Sequence, residues 1–127
     1  MYYVILAYHE EGVVQSWSKE EDAALMDELL KMNDRLIAQK SLGPAARLQP
    51  TASAVTLRGP GAGVVMDGPF TETKEQLLGL YVMDFPSIDD AIATAREFRR
   101  VNPTAVYEIR PVQLYLPGAA LEAGGEG

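Results

Sequence analysis

Asp67-Gly68-Pro69-Phe70-Thr71-Glu72-Thr73-Lys74-Glu75-Gln76-Leu77-Leu78-Gly79 is the stretch on which the fold turns. The apolar run Val64-Val65-Met66 ends at its first residue, the chain turns at Gly68-Pro69, and a charged segment leads into a second apolar run. Asp followed two places later by Pro is a turn-building pattern, and a carboxylate at a strand end can also bind a ligand or handle a proton. Asp67 is therefore a candidate for either role. Phe70 is expected to anchor the turn to the core. Residues 71–76 read as a loop or a single helical turn, with Thr73 and Gln76 at capping-box spacing. Their charges suit a solvated face, with Lys74 as a candidate ligand for an anionic group at a pocket mouth.

Outward from this stretch, strand-like segments alternate with two helical periods. Tyr2 to Tyr8 is rich in aromatic and β-branched residues, and both of its alternating sets are apolar, as in a central strand covered on both faces. Ser18 and Glu21 form a capping box, after which Leu25, Leu29, Met32 and Leu36 recur at helical spacing. The spacing predicts a helix from Lys19 to Lys40, closed by Gly43 in the left-handed conformation and by Pro44. Short strands follow at 46–49 and 54–58, the latter forming a hairpin with 64–66 across the loop Gly59-Pro60-Gly61-Ala62-Gly63. Leu78 to Phe85 reads as a strand. Ser87 and Asp90 start a second helix with Ile88, Ala91, Ile92, Ala95 and Phe98 on one face, and Asn102-Pro103 stops it. A last strand covers Val106 to Val112, extending through Tyr115.

Composition narrows the partners. The chain has 127 residues, within the size of a single domain. It contains no Cys and one His, which argues against thiol chemistry and a protein-only metal site. With 11 Lys and Arg against 18 Asp and Glu, the formal charge is −7, so nucleic acid and anionic membrane are poor partners. The N-terminal apolar run lacks a basic lead and is too short to span a bilayer, and a cytoplasmic location is expected.

Strand, helix, strands, strand, helix, strand is the order of a ferredoxin-like βαββαβ unit of the α+β class, with both helices on one face of the sheet. Asp67-Gly68-Pro69-Phe70, then Thr73-Lys74-Glu75, then Gly79 resembles the signature of the DGPF proteins within the YCII-related group. Glu108-Ile109-Arg110-Pro111 resembles the closing Glu-x-Arg-Pro of the same proteins, so the likeness extends to Tyr115. It implies a dimeric α+β barrel, in which two such sheets pack face to face. The domain is expected at 1–116, with a flexible tail at 117–127.

Alternation places the polar residues. In the last strand Tyr107 and Ile109 suit the helix side, which turns Glu108 and Arg110 to the bare face and into the interior of the expected homodimer. There they either pair with each other or hold a ligand. His9, directly after the first strand, is the default acid–base candidate, because its unperturbed pKa alone lies near neutrality. The Arg-x-x-His pattern of YCII proteins proper has no match, since residues 18–23 read Ser-Lys-Glu-Glu-Asp-Ala. Acid–base chemistry is thus assigned to His9, Asp67 or Glu108. The primary expectation is a small polar or aromatic metabolite bound between the two sheets, with cofactor-independent proton transfer, and Asp67, Glu108, Arg110 and His9 lining or bordering the cavity. The alternative is a non-enzymatic regulatory or interaction protein, because the resemblance also implies a sigma-factor-linked circuit.

Overall fold

In the computed structural model, which describes residues 1–122, the elements are β1 (Tyr2–Glu10), α1 (Glu11–Ser16), α2 (Lys19–Ala38), β2 (Leu42–Arg47), β3 (Val55–Arg58), β4 (Val64–Asp67), β5 (Glu75–Asp84), α3 (Ile88–Val101) and β6 (Val106–Pro111). Four strands form an antiparallel sheet in the order β2-β5-β1-β6, while β3 and β4 pair only with each other. This is the ferredoxin-like order, with the β3–β4 hairpin inserted between the second and third strands of the unit. The part of the expected tail at 123–127 lies outside the described residues.

Both long helices cover one face. Tyr3, Ile5 and Met83 of the sheet meet Leu29 and Leu36 of α2 and Ala91 and Phe98 of α3 in a single buried cluster. The Phe98 ring stacks on Tyr81 with centroids 4.8 Å apart, and Arg35 of α2 pairs with Glu97 of α3 across the helix seam. Two serine caps set the helix starts. Ser18 Oγ accepts from the Glu21 amide at 3.0 Å while Glu21 Oε1 accepts from the Ser18 amide, and Ser87 Oγ accepts from the Asp90 amide. Among the described residues, no helix is long and apolar enough to cross a membrane.

Several local expectations are corrected. Helix α2 ends two residues early, and Lys40 rather than Gly43 takes the left-handed conformation, with φ 60°. The Ser41 amide donates to Leu36 O and the Lys40 amide to Ile37 O, both at 2.9 Å, which is the paired bonding of a Schellman cap. Closing there lets Leu42 enter β2 and pair with Met83, so Gly43 and Pro44 sit in an edge strand at an irregularity in register. The short helix α1 has no side-chain cap and left no capping signal in the sequence.

Strand β1 continues to Glu10, so His9 is inside it and buried rather than beyond its end. Residues 71–76 form no helical turn. The Gln76 amide reaches back to donate to Thr71 O and Thr73 O, and Thr73 Oγ1 donates to Glu75 O, so β5 begins at Glu75. Phe70 is 71% exposed, not anchored in the core, and its ring lies 5.8 Å from the Arg58 guanidinium. Strand β6 stops at Pro111, which has no amide to donate, and Tyr115 rests edge-on against Tyr2.

A left-handed lysine at the end of α2 carries a steric cost that glycine lacks. Lys40→Gly is expected to stabilise the protein by about 1 kcal/mol. Urea unfolding checks this, as an increased midpoint with an unchanged slope.

Candidate functional site

Cross-strand register arranges the helix-facing residues of the sheet in rows. Ala45, Tyr81, Ile5 and Ile109 lie side by side across β2, β5, β1 and β6, and the next row reads Arg47, Gly79, Ala7 and Tyr107. The centre of this second row carries one hydrogen and one methyl group. The alignment ends an unbroken register that begins at Tyr2 and Asp84, and a bulge follows it directly, because Ala7 opposes Gly79 whereas Tyr8 already opposes Leu77, leaving Leu78 unpaired. Over this bare floor lies a cavity of about 520 Å³, roofed by Leu25, Met26 and Leu29 of α2 and walled by Trp17, Tyr81 and Tyr107. Its size is typical of small-molecule sites, roughly 300–1,000 Å³. Gly79 is held to be glycine by more than the cavity, since a Cβ there would stand 3.2 Å from Ala46 O.

The polar groups around the cavity are mostly paired. Arg47 donates to both carboxylate oxygens of Asp22, at 2.8 and 3.3 Å. That hydrogen bonding holds the Asp22 carboxyl below its usual pKa. Glu11 accepts from the Thr51 amide at 2.9 Å and from the Thr51 hydroxyl, which fastens the 48–50 segment along the cavity edge. His9 is 4% exposed and meets Trp17 edge-on at 5.4 Å. Its Nδ1 lies 3.3 Å from Glu10 O and its Nε2 2.7 Å from Thr104 Oγ1. A carbonyl oxygen only accepts, so a hydrogen bond between these two atoms requires the ring to donate from Nδ1. The Thr104 hydroxyl can donate to Nε2 or accept from it. Asn33, which also lines the cavity, has a buried Oδ1 with no hydrogen-bond partner among the described residues.

Burial pushes the Tyr107 phenol up to about 12, with Tyr81 beside it adding to the effect, and burial likewise raises Tyr81. Both are neutral hydroxyls at physiological pH.

The structure separates the residues singled out in the sequence. His9 lines the cavity, whereas Asp67, Lys74, Glu108 and Arg110 do not. Glu108 and Arg110 are exposed and stand on the opposite face of the sheet, where they oppose Leu6 and Val4 of β1. Glu108 accepts a hydrogen bond from Tyr8 Oη at 2.9 Å rather than pairing with Arg110. This bond raises the Tyr8 phenol pKa. Lys74 pairs with Glu10 at 3.3 Å. Asp67 is exposed at the end of β4, and the turn after it is closed by the backbone, with the Gly68 amide donating to Ala54 O and Gly68 O accepting from Thr56. Tyr81 and Tyr107 pack against Phe98 of the core and, with Trp17, also wall the cavity. Asp22 and Arg47 carried no motif, and only the chain-distant pairing of Ala7 with Gly79 could have revealed the space between them.

A ferredoxin-like sheet whose helix side carries an aromatic-walled cavity defines a small α+β domain with a candidate ligand site. The chain belongs to the YCII-related family, whose domain profile matches residues 1–115. It is also similar to an uncharacterised protein of Rhizobium meliloti (strain 1021), with 49% identity over 120 residues that cover 93% of this chain and 97% of that protein.

The Tyr107 shift predicts an alkaline effect of definite sign. The phenol is charged when it loses its proton, and burial makes this harder in the folded state than in the unfolded chain, where the value is near 10. The contribution is complete below pH 10 and is lost as pH rises toward about 12. Unfolding free energy measured across this interval should fall for the native protein, and the fall should be shallower for Tyr107→Phe.

Proposed function

We propose that this protein binds a small aromatic or polar metabolite in the cavity between α2 and the sheet. The supporting observation is the bare floor at Ala7 and Gly79 beneath a helix that closes over it, flanked by aromatic walls. Any cofactor-independent proton transfer there falls to His9, the lone imidazole on the cavity wall. Lys74, Glu108 and Arg110, which lie away from the cavity, serve surface pairing and association, and Asp67, exposed at the end of β4, takes no part in the cavity.

The second part of the proposal is a homodimer through the open face of the sheet. Val4, Leu6, Leu80 and Val82 lie half-buried there, beside exposed Glu108 and Arg110. Two copies of such a face are apolar at the centre and carry both signs of charge at one side, so a two-fold arrangement sets Glu108 of each against Arg110 of the other. The exposed hairpin residues Val55, Leu57, Val64 and Val65 favour the second reading, an interaction protein without turnover. The cavity distinguishes the two readings, since an interaction protein does not need it.

Filling the cavity is the test. Ala7→Leu grows into empty space, and its stability is expected to stay within about 1 kcal/mol of the parent. A metabolite set screened by thermal shift should raise the melting temperature of the native protein, and the stabilising compounds should lose at least tenfold in affinity for the variant. Ligands that bind both proteins equally would move the site elsewhere.

For the dimer, Glu108→Arg sets like charges across the two-fold arrangement and is expected to weaken association at least tenfold by sedimentation. Adding Arg110→Glu should restore it. A single variant with unchanged association would exclude this pairing.

A further inference from the structure

We infer that the ligand of this cavity is an uncharged, flat aromatic molecule bearing a hydroxyl or carbonyl group. The inference rests on the cavity reading above and specifies its ligand.

The first argument is electrostatic. Glu11, Asp22 and Arg47 are the carboxylate and guanidinium groups on the lining, and each is already engaged: Asp22 and Arg47 with each other through two hydrogen bonds, Glu11 with the amide and hydroxyl of Thr51. Their formal sum is negative. An anion would meet that excess and would have to displace Asp22 to reach the guanidinium. A cation would have to detach Glu11 from Thr51 or Asp22 from Arg47. An uncharged ligand leaves all of these pairs intact, so it avoids the repulsion and keeps both the exposed Asp22–Arg47 pair and the partly buried hydrogen bonds of Glu11 to Thr51.

The second argument is shape. The floor is bare across two adjacent strands, which lie about 4.8 Å apart, so a ring can lie flat on the peptide planes between Ala7 and Gly79. Around it stand the Trp17, Tyr81 and Tyr107 rings and the sulfur-bearing side chain of Met26. Aromatic edges and faces and a polarisable thioether favour an aromatic guest over a saturated one of equal size.

The third argument is the polar handle. The Tyr81 hydroxyl makes no hydrogen bond among the described residues, and burial keeps it protonated at neutral pH. It is a donor on the cavity wall, suited to the oxygen of a ligand hydroxyl or carbonyl.

Three bicyclic probes separate these arguments: 2-naphthol, its anionic counterpart 2-naphthoate, and the saturated decahydro-2-naphthol. Binding is measured by calorimetry at pH 7, and its location by the single indole N–H resonance of Trp17, the only tryptophan. The expected result is that 2-naphthol binds at least tenfold more tightly than the other two, shifts the indole resonance, and loses this binding in Ala7→Leu. Asp22→Asn, which frees the guanidinium, should raise naphthoate affinity at least tenfold. If naphthoate or the saturated alcohol binds native protein as well as 2-naphthol does, and Ala7→Leu abolishes that binding, the ligand class is overturned and the cavity reading stands. If no probe binds, or binding is indifferent to Ala7→Leu, both are overturned.

Discussion

Successive side chains of an extended strand point to opposite faces, and β1 is flanked by β5 and β6, so its alternation dictates what each side of this molecule can do. Tyr3, Ile5, Ala7 and His9 form the helix-facing set. Its first two members are large and complete the core, with Ile5 fully buried and Tyr3 nearly so. Its third is only a methyl group, and the neighbouring strand brings a glycine to the same level. Helix α2 cannot descend to fill the gap, because Leu29 and Leu36 already rest on the core further along. The cavity is a consequence of that mismatch between the helix and a sheet that carries almost no side chain at the centre of one row.

The other set, Tyr2, Val4, Leu6 and Tyr8, faces away from the helices and shares its side with Leu80, Val82, Glu108 and Arg110. The two faces therefore differ in chemistry as well as position. One is concave, aromatic and lined by charges that already have partners; the other is broad, apolar and edged with opposite charges. Under the proposed function, ligand capture uses the first and association the second, and a substitution on one need not disturb the other, since additivity usually holds for separate sites.

What the sequence reveals follows from how local each determinant is. Ser18 with Glu21 and Ser87 with Asp90 report helix starts because a cap needs only three residues of context. Alternation within β6 put Glu108 and Arg110 on the bare side because strand pleating is equally local. Lys40 escaped because Gly43 offers the lower-energy left-handed residue, and only the need to bury Leu42 beside Met83 draws the cap forward. Phe70 escaped because hydrophobicity alone suggests burial, while its turn projects it toward Arg58. The cavity was least legible of all. It depends on Ala7 meeting Gly79, 72 positions away, at the last pair of a register that runs unbroken from Tyr2 and Asp84 to the bulge at Leu78. The aromatic residues around it look like ordinary core in one dimension.

The central claim is that ligand enters the helix side of the sheet and lies against the Ala7 methyl. Intermolecular nuclear Overhauser effects measured from methyl-labelled protein to the ring protons of bound 2-naphthol test this most directly. The account predicts cross-peaks to the methyl groups of Ala7, Leu25 and Met26. Cross-peaks confined to Val4, Leu6 and Val82, on the opposite face, would contradict it.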